Sequence, residues 1–222
     1  MLRFLRKACD FAAYKFLRAP RGGGKPVPAS ALDAEYRSGH WDTFFGPEEK
    51  PRYDALVQLI ARLHPSPCLL DVGCGSGRLA TLLVPDRVAR YTGLDLSEEG
   101  LQRARSLGLP ANATFLHTDF ETWPSQPTPA DSSAASSSDA LFDTIVFNES
   151  LGYARDPARV ARAFTALLAP GGALIVSYYR SGNHEAIWRR LYRDFTFTDE
   201  NVVHNPAGLT WDIKVLQLRS AA

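Results

Sequence analysis

Two spacings of apolar residues alternate along this chain. Short unbroken apolar runs, bounded by Gly, Pro, Asn or Asp, read as buried strands. They fall at Cys68–Val72, Arg90–Ser97, Ala113–Phe120, Leu141–Glu149 and Ala173–Tyr178. Between them the apolar positions recur every three or four residues, the period of a helix packed on one face. Helices are expected at 30–38, 49–63, Arg78–Val84, Glu98–Ser106, Asp156–Leu168 and Glu185–Phe195. Ser97 suits the N-cap of the Glu98 helix, and Asp156 followed by Pro157 suits the start of another. Val202–Asn205 and Thr210–Leu218 read as two short final strands. Strand alternating with helix predicts βαβ units and a mostly parallel sheet, an α/β fold.

The most distinctive turn follows the first strand. Cys68-Leu69-Leu70-Asp71-Val72 runs into Gly73-Cys74-Gly75-Ser76-Gly77. Alternate glycines allow positive φ and leave no Cβ to block a ligand lying on the backbone. The helix behind them offers unpaired N–H groups. A dinucleotide fingerprint needs G-x-G-x-x-G, and here Arg78 breaks that spacing. No G-x-x-x-x-G-K-[ST] occurs either, which excludes a P-loop. A tight strand-to-helix turn with no ligand is the alternative. Asp95 ends the next strand, 18 residues beyond Gly77. That position suits a carboxylate bound to ribose hydroxyls, and helix capping is its plainer role.

Asp71-x-Gly73-x-Gly75-x-Gly77 resembles motif I of the class I S-adenosylmethionine (SAM) dependent methyltransferases. Asp119-Phe120 is similar to that family's adenine contact, although Asp119 also suits an Asx turn. Leu141–Glu149 resembles the strand that leads into the family's active site, and Pro170–Ser177 the turn and strand after it. The resemblance covers about residues 52–180, and its flavour is the small-molecule branch that includes ubiquinone-type O-methyltransferases. It implies a Rossmann-like sheet of seven strands, mostly parallel, with helices on both faces and an antiparallel last strand. It implies SAM as cofactor, held by Asp71, Gly73, Cys74, Gly75, Gly77, Asp95, Leu96, Asp119, Phe120, Asn148 and Glu149. Arg37 and Arg52 are candidates to pair with the SAM carboxylate, with a surface ion pair to a nearby acid as the alternative for each.

The family's N-terminal part covers cofactor and substrate, so His40 and Trp41 are candidates to line the pocket, His40 with a catalytic role. In ubiquinone-type relatives a Glu-His pair follows a leucine after the fourth strand. Gly152 and Tyr153 stand there instead. The usual general base is absent, and Tyr153 is the remaining candidate, with an ordinary pKa near 10. The implied activity is methyl transfer to O or N of a small molecule: a natural product, a sugar or a quinone-like lipid. The alternative is a SAM-binding regulatory or partner subunit without turnover.

Charge and composition sharpen the picture at the N-terminus. Residues 1–28 hold seven Lys/Arg and one acid, which leaves 18 Lys/Arg and 23 Asp/Glu in the rest. The remainder is net acidic and lacks the Asn/Asp-Pro-Pro-Tyr motif, so nucleic acid is not expected as a substrate. Leu2, Leu5, Cys9, Ala12 and Phe16 form a helical stripe. Three roles fit: a helix packed on the domain, a basic amphipathic helix on an anionic membrane, or a transit peptide. Residues 1–27 are thus expected as this helix plus a flexible Gly-rich linker, with the catalytic domain over 28–222. Residues 124–139 form a Pro/Ser/Ala-rich low-complexity loop. Cys9, Cys68 and Cys74 are odd in number and lack C-x-x-C spacing, which favours a reducing compartment and no metal site. No apolar run of about 18 residues occurs to span a membrane. A cytoplasmic location follows as the expectation, with peripheral membrane or mitochondrial as alternatives.

Overall fold

The computed structural model describes residues 13–84, 87–125 and 141–219. Most of the N-terminal stripe and nearly all of the Ser-rich loop lie outside these residues.

Seven strands form one sheet: β1 (Cys68–Val72), β2 (Arg90–Asp95), β3 (Ala113–His117), β4 (Phe142–Asn148), β5 (Leu168–Tyr179), β6 (Phe195–His204) and β7 (Thr210–Leu218). Their order is β3-β2-β1-β4-β5-β7-β6. The first five pair in parallel, and β7 runs antiparallel to both β5 and β6. The helices are α1 (Ala29–Arg37), α2 (Lys50–Leu63), α3 (Arg78–Leu83), α4 (Glu98–Arg105), α5 (Pro157–Thr165) and α6 (His184–Leu191). This is the mostly parallel, Rossmann-like sheet that the alternation and the resemblance imply.

Strand side chains point alternately to two faces, and each face has its own core. Leu70, Val72, Ile145, Phe147, Leu174 and Val176 pack with α5 and α6 through Phe164, Trp188 and Leu191. Leu69, Val146 and Ile175 pack on the other face with Leu56 and Ile60 of α2 and Leu79 and Leu83 of α3. Burial on both faces explains why these strands read as unbroken apolar runs.

Four boundaries depart from the sequence reading. The helix expected to reach Leu168 stops at Thr165. β5 instead starts at Leu168 and bulges before Ala173, where Gly171 sits at φ 79°. The helix expected to reach Phe195 stops at Leu191, because Phe195 is the first, fully buried residue of β6. β6 covers ten residues rather than the four from Val202 to Asn205. Its inward positions include Asp199 and Asn201, so the strand alternates in burial without alternating in hydropathy.

The Gly-rich stretch is packed rather than loose. Asn183 Nδ2 donates to Gly23 O at 2.8 Å, and Lys25 N–H donates to Gly152 O at 2.8 Å. A Cβ on Gly24 would stand 2.2 Å from Ala154 O. Gly22, at φ 77°, lies against Ala186 and Arg190 of α6. Residues 22–28 are therefore a strap laid over the loop after β4.

Candidate functional site

The parallel strands end at a cavity of about 550 Å³, the size of a small-molecule site. Its floor is the glycine turn. Gly73 N–H and Cys74 N–H both donate to Leu94 O, at 2.7 and 2.9 Å. Gly73, Gly75 and Gly77 all have positive φ, and a Cβ on Gly75 would meet Tyr36 Oη at 2.5 Å. Side chains would both strain and fill this turn. Gly77 does not line the cavity. A Cβ there would press on Leu107 and Ala104, so it lets α4 approach instead.

Asp95 stands beside the turn. Its Oδ2 accepts from Gly75 N–H and its Oδ1 from Ser97 N–H, each at 2.8 Å. Ser97 caps α4 by accepting from Gly100 N–H, as expected. Asp95 is not free of partners, yet each carboxylate oxygen has a second lone pair to offer. Burial pushes its pKa up, and the backbone N–H groups oppose that shift. Asp71 is buried under the turn. Tyr91 Oη donates to its Oδ2, while Oδ1 has no partner. Burial raises the Asp71 pKa to about 7. Leu96, Asp119 and Phe120 line the side of the cavity. Asp119 Oδ1 also accepts from Glu121 N–H at 2.8 Å, so the Asx turn and the cavity position coexist.

The far wall comes from the end of β4. Asn148, Glu149 and Arg52 all line it. Arg52 is fully buried; it donates to Asn148 Oδ1 through Nη1 and to Glu49 Oε2 through Nε at 2.9 Å. Its charge is already matched by Glu49, so pairing with a ligand carboxylate would compete with that ion pair. Glu149 has φ 63°, the one non-glycine residue at positive φ among those described. Its Oε1 accepts from Ser177 Oγ at 2.9 Å and its Oε2 from Tyr179 N–H at 2.8 Å. The strained backbone and both oxygens serve to tie the β4 end to β5, and burial raises the Glu149 pKa.

Tyr153 lines the cavity, and burial followed by Glu35, Glu149 and Asp95 pushes its pKa up to about 12. At neutral pH it is a neutral phenol, a hydrogen-bonding group rather than a base. A Cβ on Gly152 would come within 3.1 Å of the Tyr178 ring, a tight contact that a small shift of the ring would have to relieve. His40 is a correction: it is exposed, absent from the cavity wall, and set edge-on to Trp41 at 5.0 Å. Trp41 does line the cavity. Arg37 is exposed and pairs with Glu99 at 2.7 Å, away from the site.

The roof contains most of what the sequence reading missed. Tyr36 and Phe44 line it, with Pro26, Val27 and Pro28 of the strap. α1 is fastened to α4. Ser97 Oγ donates to Asp33 Oδ1 at 2.6 Å, and Arg103 bonds both Tyr36 O and Asp42. Tyr36 lies so close over Gly100 that a Cβ there would meet its ring at 2.9 Å. No group of three His, Cys, Asp or Glu among the described residues is placed to hold a metal ion.

The site fits the group that the resemblance implies. SAM offers ribose hydroxyls, an adenine and an ammonium; the cavity offers Asp95, Asp119 with Phe120, and the unpartnered Asp71 Oδ1 on its lining.

Comparison with known proteins agrees. An uncharacterized methyltransferase of Mycobacterium tuberculosis is 31% identical over 137 residues, covering 61% of this chain and 62% of that protein. A ubiquinone biosynthesis O-methyltransferase of Bordetella bronchiseptica is 34% identical over 109 residues, covering 49% and 41%. The matches thus span less than two thirds of those relatives' lengths. The crystal structure of the N-methyltransferase NodS of Bradyrhizobium japonicum, in complex with S-adenosylhomocysteine, superposes with a TM-score of 0.68. It covers 86% of this chain and 98% of its own at 20% identity, a likeness of fold. The family described as "Methyltransferase domain" matches residues 45–211, from the cavity roof through the glycine turn to β7. By that match the chain belongs to the methyltransferase domain family.

Proposed function

We propose that this protein is a SAM-dependent methyltransferase that acts on O or N of a small-molecule acceptor. The observation that carries the reading is Asp95. Its carboxylate is fixed by Gly75 and Ser97 N–H groups on the wall of a cavity floored by the glycine turn. A ligand with paired hydroxyls suits that position.

When bound, SAM supplies an activated methyl group and its own leaving group. The chain then has to hold and align. Asp95 would accept from the ribose hydroxyls, Asp119 and Phe120 would hold the adenine, and the unpartnered Asp71 Oδ1 would accept from a donor of the amino acid end. Trp41, Phe44 and Tyr153 enclose the acceptor and exclude water. Orientation of this kind is worth about 7–11 kcal/mol in well-aligned systems. Among the described residues no histidine lines the cavity, and Tyr153 keeps its proton at neutral pH. A neutral amine acceptor would need no base, and a hydroxyl acceptor would give its proton to one of the lining carboxylates, Asp119, Glu121 or Glu149.

Incubation with methyl-labelled SAM and a panel of amines, phenols, sugars and quinols tests this. S-adenosylhomocysteine should form with one class of acceptor. Tight binding of S-adenosylhomocysteine with no turnover on any of them would favour the non-catalytic SAM-binding subunit instead.

A further inference from the structure

We propose that the N-terminal segment beside the cavity roof docks on an anionic lipid bilayer. Phe16 and Leu17 are adjacent, 68% and 57% exposed, and the most exposed large apolar side chains among the described residues. Single exposed apolar residues are ordinary on a protein surface. The charge around this pair is not. Lys15, Arg18, Arg21 and Lys25 surround it in sequence, and no acid occurs from residue 13 to 28. Lys15 Nζ lies 5.7 Å from the Phe16 ring, and Arg21 Nη1 donates to Leu17 O at 2.7 Å. Basic and apolar groups thus share one patch. The helix it packs on, α6, carries one exposed base, Arg189, and one exposed acid, Glu185, so the basic groups of the patch are those of residues 15–25.

The patch is held in place. Tyr14 Oη donates to Asn183 Oδ1 at 3.3 Å, Asn183 Nδ2 reaches back to Gly23 O, and Gly22 fits against α6. From there the strap runs directly into Pro26, Val27 and Pro28 on the cavity wall. Docking surface and cavity therefore share a structural element a few residues long. A polyanion such as nucleic acid would satisfy the arginines alone. A bilayer satisfies both halves, with headgroups for the cations and acyl chains for Phe16 and Leu17. Each basic residue at such a surface is worth about a fivefold gain in binding. The docking stands apart from the catalytic reading; joined to it, it implies an acceptor that partitions into lipid.

The test is co-sedimentation of the full chain with vesicles of phosphatidylcholine alone, or mixed with an equal part of phosphatidylglycerol. The account expects binding to the mixed vesicles only, release as salt rises, and a loss of about tenfold or more in Phe16→Glu/Leu17→Glu. Arg18→Gln/Arg21→Gln, which introduces no negative charge, should lose about fivefold per charge, about 25-fold together. Affinity for S-adenosylhomocysteine should not change in either variant, which separates this proposal from the cofactor site. Failure to bind mixed vesicles at low salt would overturn it. So would undiminished binding by both variants, or binding to duplex DNA with none to vesicles.

Discussion

The floor of the cavity is laid down by Cys68–Ser97, a strand–turn–helix–strand unit of the sheet, whereas the roof comes from residues 26–45, a segment upstream that contributes no strand. The floor is closed by backbone. Gly73, Cys74 and Gly75 N–H groups all end on Leu94 O or Asp95. The roof is closed mostly by side chains. Asp33, Arg37 and Arg103 fasten it to α4 across exposed or half-buried contacts. Exposed ion pairs contribute about 0.2–1 kcal/mol each. A floor of this kind is set before a ligand arrives, while a roof of this kind is free to open at small cost. Ligand passage should therefore go by way of α1 and the Gly39–Gly46 segment, not the glycine turn.

The sharpest way to break the floor is Gly75→Val. A β-branched residue at φ 57° is strained, and its Cβ would displace Tyr36 Oη. Calorimetry should detect no S-adenosylhomocysteine binding, with the circular dichroism of a folded α/β protein intact. Normal affinity would remove the turn from the site. Next comes Asp95→Ala, which deletes the acceptor for Gly75 and Ser97 and for the ribose. Hydrogen bonds to a charged group are worth about 1.5–3 kcal/mol, so affinity should fall by one to two orders of magnitude. An unchanged dissociation constant would return Asp95 to a purely structural role.

A pH series sharpens the comparison from beneath the floor. The Asp71 pKa is raised by burial to about 7 in the folded protein, against an ordinary value of 3.8. Its protonated form therefore contributes stability below the unfolded value, and that contribution is lost as pH rises through about 7. Asp71→Asn stays neutral throughout. Its melting temperature relative to the parent should rise between about pH 4 and pH 7, the window set by those two values. A parallel pH dependence in both proteins would show Asp71 ionised already at pH 5.

The smallest effect belongs to the roof. Arg37→Ala breaks an exposed pair with Glu99, and the cost should stay below about 1 kcal/mol. Stopped-flow measurement should show faster ligand exchange and less than about fivefold change in equilibrium affinity. A loss as large as that of Asp95→Ala would mean that the roof is as rigid as the floor.

The same division explains what could be read in the sequence. The floor was legible because each of its residues answers a backbone demand: Gly73 and Gly75 for positive φ, Ser97 for a cap, Asp95 for the strand end. The roof was legible only as composition. His40 and Trp41 stand in a run with Tyr36, Phe44 and Phe45, yet nothing in spacing tells that Tyr36 reaches Gly75 while His40 faces solvent. The packing of the strap is not legible because three consecutive glycines suit both flexibility and close packing. Here Gly24 is needed because Gly152 and Ala154 carbonyls leave no space for a Cβ. β6 was shortened for a similar reason, since inward Asp199 and Asn201 conceal its period. The departure from a Glu-His pair, by contrast, is visible directly in the sequence at Gly152-Tyr153.

One measurement tests the central claim most directly: calorimetric titration of the protein with S-adenosylhomocysteine, with NADH as the control. The account predicts micromolar binding of S-adenosylhomocysteine and none of NADH. A folded protein that binds neither, or that binds NADH instead, would contradict it.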